Sequence, residues 1–203
     1  ILSPGAVFSV NPGFYNTTQY LAINSPEEGL TIRYTLNGED PNENSPIYSD
    51  LIEISSSLVV KARIYKEGLE PGKVSTGTFF INEHRTNLPI VSLSSAPDGL
   101  FSDQNGILVE GTNGTTGYCL DYPVNWNQDW ERPATVEYFD ENGEKQVEQS
   151  IGIKVFGGCS RTANMKSLAL VCKTEYGGGR LEYKFFKDKD IKSFKSVVLR
   201  NFG

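Results

Sequence analysis

The feature that most constrains this 203-residue chain is its punctuation. Short runs rich in Val, Ile, Thr, Tyr and Phe recur from end to end, and Gly, Pro, Asn or Asp bounds each of them. With 20 Gly and 10 Pro, almost no stretch is long enough to carry the 3.6-residue repeat of an amphipathic helix. In the first third the runs are 6–10, 18–23, 31–36, 51–54, 58–65 and 75–81. Asn37-Gly38, Asp40-Pro41 and Pro71-Gly72 lie between them. Asn and Gly tolerate positive φ and Pro fixes φ, so these pairs close turns. The run 58–65 alternates: Leu58, Val60, Ala62 and Ile64 share one face, and Val59, Lys61, Arg63 and Tyr65 share the other. Period two predicts a half-buried antiparallel strand. Six such strands in about 80 residues predict a small β-sandwich.

The polar stretch 82–87 reads as a linker, which divides the chain into 1–82 and 86–203. The second part opens with an apolar run at 88–93. Its clearest hairpin runs from 134–139 through Asp140-Glu141-Asn142-Gly143 into 145–156, and further strands follow at 167–171, 181–186 and 196–199. The Gly-rich stretch 110–117 and the aromatic stretch 118–130 form a long excursion with room for one short helix. The expected fold class is all-β, or nearly so: an immunoglobulin- or fibronectin-like sandwich followed by a second β-rich domain.

Charge excludes a wholly basic nucleic-acid binder, because the net value is -6. The total conceals a gradient of -4 over 1–85, -9 over 86–144 and +7 over 145–203. A basic third after an acidic middle means either pairing between neighbouring strands or a phosphate-seeking surface. No apolar run reaches the roughly 18 residues of a membrane-spanning helix. The opening residues, Ile1-Leu2-Ser3-Pro4-Gly5, are not a signal peptide and lack an initiating Met, as expected of a chain processed or cut before Ile1. The single histidine, His84, lies in the linker and rules out a His-rich metal centre. The three cysteines lack C-x-x-C spacing; they predict either free thiols or one disulfide, with Cys159–Cys172 as the pair considered.

Two resemblances are carried by specific residues. The segments YTLNGEDP from Tyr34, SPIY from Ser45 and VKARIY from Val60 resemble the C-terminal β-sandwich module of chitobiases and β-hexosaminidases over 1–82. That implies an accessory fold and an extracytoplasmic setting. The second part resembles the start of the CotH family, the spore-coat protein H-like atypical kinases. Leu88-Pro-Ile-Val-Ser-Leu, Trp130-Glu-Arg-Pro-Ala-Thr-Val-Glu-Tyr-Phe, Gly152-Ile-Lys-Val-Phe-Gly-Gly-Cys-Ser-Arg and Phe194-Lys-Ser-Val-Val-Leu-Arg-Asn carry it. The resemblance implies a bacterial cell-surface or secreted protein, with the helical catalytic lobe expected beyond Gly203. It leaves two functions open: a non-catalytic part acting in display, adhesion or glycan binding, or the nucleotide-loop-bearing part of an atypical kinase that would use ATP and Mg²⁺.

Three groups of residues are candidate sites. Gly157, Gly158, Ser160 and Arg161, followed by Lys166, correspond through the resemblance to a phosphate-covering loop and its lysine. Glycines let backbone N–H groups approach an anion, and the cations add charge; the alternative is a plain hairpin connection. Tyr118, Tyr122, Trp126 and Trp130 supply aromatic faces for sugar C–H surfaces, with Trp126 expected exposed and Trp130 in the core. Asp98, Asp103 and Asn105 supply oxygens of the kind Ca²⁺ takes, at a spacing better suited to a turn. No nucleic-acid partner is expected; a glycan or a surface protein is.

Overall fold

The computed structural model describes residues 3–117 and 119–201. They form a nearly all-β chain of short strands, with one five-residue α-helix, α1 (Pro97–Phe101), and three 3₁₀ turns. The chain divides into two compact units, Ile1–Ser94 with Glu137–Glu148, and Ser95–Val136 with Gln149–Gly203.

In the first unit the strands are β1 (Val7–Phe8), β2 (Gly13–Tyr15), β3 (Gln19–Leu21), β4 (Ile23–Asn24), β5 (Thr31–Thr35), β6 (Ile52–Ile54), β7 (Leu58–Tyr65), β8 (Ser75–Ile81) and β9 (Ile90–Ser94). A four-stranded sheet runs β2-β8-β7-β5. The pairs β3-β6 and β1-β4 form the opposing layer. Leu21, Ile23, Ile32, Ile54, Val60, Ala62, Ile64 and Phe79 are buried together as the sandwich core. This is the inward face that the alternation of 58–65 predicts.

The other face of β7 departs from expectation. It is covered, and Lys61 is only 2% exposed in its side chain. The loop after β5 folds over it. Asp40 Oδ1 lies 2.8 Å from Lys61 Nζ, and the Pro41 carbonyl accepts bonds from Tyr65 Oη and Arg63 Nη1. A buried ammonium is tolerated only with such a partner.

The second unit adds α1, β10 (Thr115–Gly117), β11 (Leu120–Val124), β12 (Arg132–Phe139), β13 (Lys145–Phe156), β14 (Ser167–Val171), β15 (Leu181–Glu182), β16 (Ser193–Phe194) and β17 (Ser196–Leu199). Strand β14 lies between β13 and β17 in the sheet of this unit. Antiparallel register aligns Ile153 with Leu170 and Leu170 with Val197, and Ile153 and Leu170 are buried. The excursion over 110–130 forms the hairpin β10-β11 and a 3₁₀ turn at Asn125–Asn127.

Strand β9 and the tip of the β12-β13 hairpin, Glu137–Glu148, belong to the first unit. The physical reason lies along β8. Beyond Thr78, β2 pairs with β8 only at Phe79–Ile81, so the outward N–H groups of Thr76 and Thr78 have no strand partner. Carboxylates from the hairpin tip supply one. Glu148 Oε1 accepts from Thr76 N at 2.9 Å, and Glu137 Oε1 from Thr78 N at 3.2 Å. Glu137, 1% exposed, also accepts from the Thr78 hydroxyl, and Lys145 Nζ bridges Glu148, Glu137 and the Thr76 carbonyl. Phe139 packs edge-on against Phe80, which stacks on Phe14.

Candidate functional site

The second unit carries a cleft of about 390 Å³. Its lining comes from two stretches: Leu108–Glu110, Leu120, Tyr122 and Trp126 on one side, Thr162, Asn164 and Lys166 on the other.

Asn125 fixes the first wall. It is fully buried, and its side-chain nitrogen donates to the carbonyls of Asp103 (2.9 Å) and Gly106 (3.2 Å). Its side-chain oxygen accepts from Asn113 N, and its own N–H donates to the Glu110 carbonyl. The loop from 103 to 113 therefore wraps one carboxamide. Gly111 has φ +58° where the loop passes Asn125, and a Cβ there would lie 2.0 Å from the Asn125 side-chain nitrogen. Only glycine closes this turn.

A disulfide, Cys119–Cys159, and Arg161 tie the second wall to the first. The bridge joins the turn between β10 and β11 to the turn after β13. It replaces the Cys159–Cys172 pair considered from the sequence; Cys172 is a buried free thiol, and burial pushes its pKa up. Arg161 is buried; its Nη1 donates to the Trp126 carbonyl at 2.8 Å and its Nε to the Gly157 carbonyl at 2.6 Å.

These bonds decide where the expected loop residues stand. Gly157 has φ +115°, as its position at the end of β13 requires, and Gly158 and Ser160 accept backbone bonds within the turn. None of Gly157, Gly158, Ser160 or Arg161 lines the cleft. The guanidinium expected to face a phosphate is instead held on backbone carbonyls. Lys166 alone of the five reaches the cleft. Its Nζ lies 3.5 Å from the centre of the Trp126 ring and donates to the Ala163 carbonyl at 2.9 Å. Burial pushes its pKa down, and the charge of Glu110 partly offsets this.

The aromatic candidates also sort differently from expectation. Trp126 is 7% exposed and forms the base under Lys166, with its Nε1 buried and unpartnered. Trp130, expected in the core, is half-buried beneath the Arg132 guanidinium, 4.7 Å from its ring. Tyr122 is 46% exposed and lines the cleft. Tyr118 lies outside the described residues. The exchange has a simple cause. Trp126 sits within the 3₁₀ turn between the buried Asn125 and Asn127 and is drawn inward with them.

Two of the calcium candidates hold each other, and the third is held by neighbouring side chains. Asn105 donates to Asp98 Oδ2 at 2.9 Å, and Asp103 accepts from Thr112 and Gln104. Among the described residues no cluster of three His, Cys, Asp or Glu stands ready for a metal. Part of the basic third pairs with the acidic middle, since Lys154 meets Asp129 at 3.1 Å and Lys173 meets Glu131 at 2.8 Å. Tyr176 donates to the same Glu131 at 2.7 Å. Glu110, Thr162 and Asn164 escaped the sequence reading. Only proximity through the disulfide and the Arg161 bridge collects them, and spacing along the chain carries no trace of that.

Comparison with known proteins gives one match. Residues 10–76 match the chitobiase/beta-hexosaminidase C-terminal domain. No curated protein and no solved structure matches the chain. Among the described residues no helix is long and apolar enough to cross a membrane.

Proposed function

We propose that this chain is a non-catalytic, carbohydrate-binding part of an extracytoplasmic bacterial protein, and that the cleft of the second unit receives the sugar. The carrying observation is the exposed ring of Tyr122 at a cleft that also holds Glu110, Asn164 and Lys166. An aromatic face with a few polar groups around it suits a pyranose ring and its hydroxyls. The match of 10–76 to an accessory domain of glycan-active enzymes supports the reading. The Cys119–Cys159 bridge supports an oxidising compartment, at the cell surface or after secretion. A part in display or adhesion is in keeping with the CotH resemblance of the second part of the sequence.

A glycan array followed by calorimetry tests this. Tyr122→Ala is expected to weaken the best ligand about tenfold, which corresponds to about 1.4 kcal/mol. A blank array, or unchanged affinity in the variant, refutes it. A second reading, MgATP in the same cleft, rests on Lys166. MgATP binding that disappears in Lys166→Ala would favour that reading over the sugar.

A further inference from the structure

The loop that covers Lys61 does more than shield it. Between β5 and Pro46 it borders a second, open depression of about 450 Å³ in the first unit. This falls within the range of about 300–1,000 Å³ usual for small-molecule sites. The cup is fixed before any ligand arrives. Tyr34 N donates to the Pro46 carbonyl at 3.1 Å, Arg33 Nη1 to the Ser45 carbonyl at 2.6 Å, and Ser45 N to the Asn42 carbonyl at 3.0 Å. The side-chain oxygens of Asn37 and Asn42 accept from the N–H groups of Glu39 and Asn44. Those bonds orient both carboxamides and leave their NH₂ groups, like the Glu39 carboxylate, without a partner among the described residues. Tyr34, the 44% exposed Leu36 and Pro46 add apolar surface.

We infer that this cup is a second ligand site, for a neutral saccharide unit, independent of the cleft. Its lining contains no Lys, Arg or His, so nothing there compensates a phosphate or a sugar carboxylate. Two carboxamide donors and one carboxylate acceptor match the hydroxyls of an uncharged sugar, with its C–H face on Leu36 and Tyr34. Preset walls reduce the ordering cost of binding.

The test follows the side-chain NH₂ resonances of Asn37 and Asn42 in the intact ¹⁵N-labelled chain. The probes are uncharged hexasaccharides, α-1,4-glucan, β-1,4-glucan and β-1,4-N-acetylglucosamine, each at about 10 mM. The resonances are expected to move with at least one probe, equally in wild type and Tyr122→Ala. Glu39→Ala, whose side chain holds nothing in the fold, is expected to weaken that response about tenfold while the Tyr122 cleft still binds. If the resonances stay in place with all three probes, or Glu39→Ala responds like wild type, the second site is overturned. Loss of both signals in Tyr122→Ala would overturn its independence.

Discussion

Two loops of similar length, 35–46 in the first unit and 157–166 in the second, are held in opposite ways. The first closes largely on itself and on the strands beside it. Thr35 bonds the Glu39 carbonyl, Ser45 and Asn42 bond each other, and Asp40 reaches Lys61 on β7. The second is held by residues far off in the chain. A disulfide spans 40 positions to Cys119, and Arg161 reaches 35 positions to the Trp126 carbonyl. In the first loop charge serves to cover a buried strand face. In the second one cation clamps two segments together, and another, Lys166, stands at the resulting cleft. Local closure produces a rigid turn whichever partners surround it. Remote closure produces a wall that exists only while its tethers hold.

Cutting the longest tether breaks this contrast most severely. Closing a 40-residue loop is worth about 4 kcal/mol by chain entropy. The paired Cys119→Ser and Cys159→Ser variant is expected to lose about that much in denaturant unfolding and to lose cleft binding. Amide exchange in 35–46 should stay as in wild type. Asp40→Ala inverts the pattern. It strands the Lys61 ammonium and should cost about 3 kcal/mol, with the cleft's affinity retained. Arg161→Ala leaves the Trp126 and Gly157 carbonyls without their guanidinium donor. About 2 kcal/mol of stability and a weaker cleft are expected, measured by melting and by sugar titration.

The smallest effect is a pH dependence at Tyr176. Burial first, then the bond to Glu131 and nearby negative charge, pushes the Tyr176 phenol well above its ordinary 10.0. A raised folded value means that the stabilisation is complete below pH 10.0 and is lost as pH climbs from there through the folded value. Denaturation midpoints should decline above that pH in wild type and decline less in Tyr176→Phe. An equal decline in both would place the titration elsewhere.

The same contrast explains what could be read from the sequence. Alternation at 58–65, the turn pairs at 37–41 and the hairpin at 140–143 encode their outcome within a few residues, and the strands form there. The signature of loop 35–46 is readable for the same reason. Strand β2 was missed because its three residues are extended only by parallel pairing with β8, more than sixty positions away. Lys61 was placed on an open face because nothing in β7 announces the loop that covers it. The cleft was half visible: Tyr122, Trp126 and Lys166 stood out by type, but their meeting depends on Cys119 finding Cys159 and on Arg161 turning inward. Residue type marks candidates, and tethers between distant segments choose among them.

The carboxylates of the hairpin tip carry a consequence for heredity. Thr76 and Thr78 receive their partners from Glu148 and Glu137, encoded some two hundred nucleotides downstream. The chain passes from one unit to the other three times, after Ser94, Val136 and Glu148. A recombination event that copied 1–82 as a cassette would leave both amide donors bare and Lys145, Glu137 and Glu148 behind. A transferable version of this sandwich has to bring its clasp along or invent another.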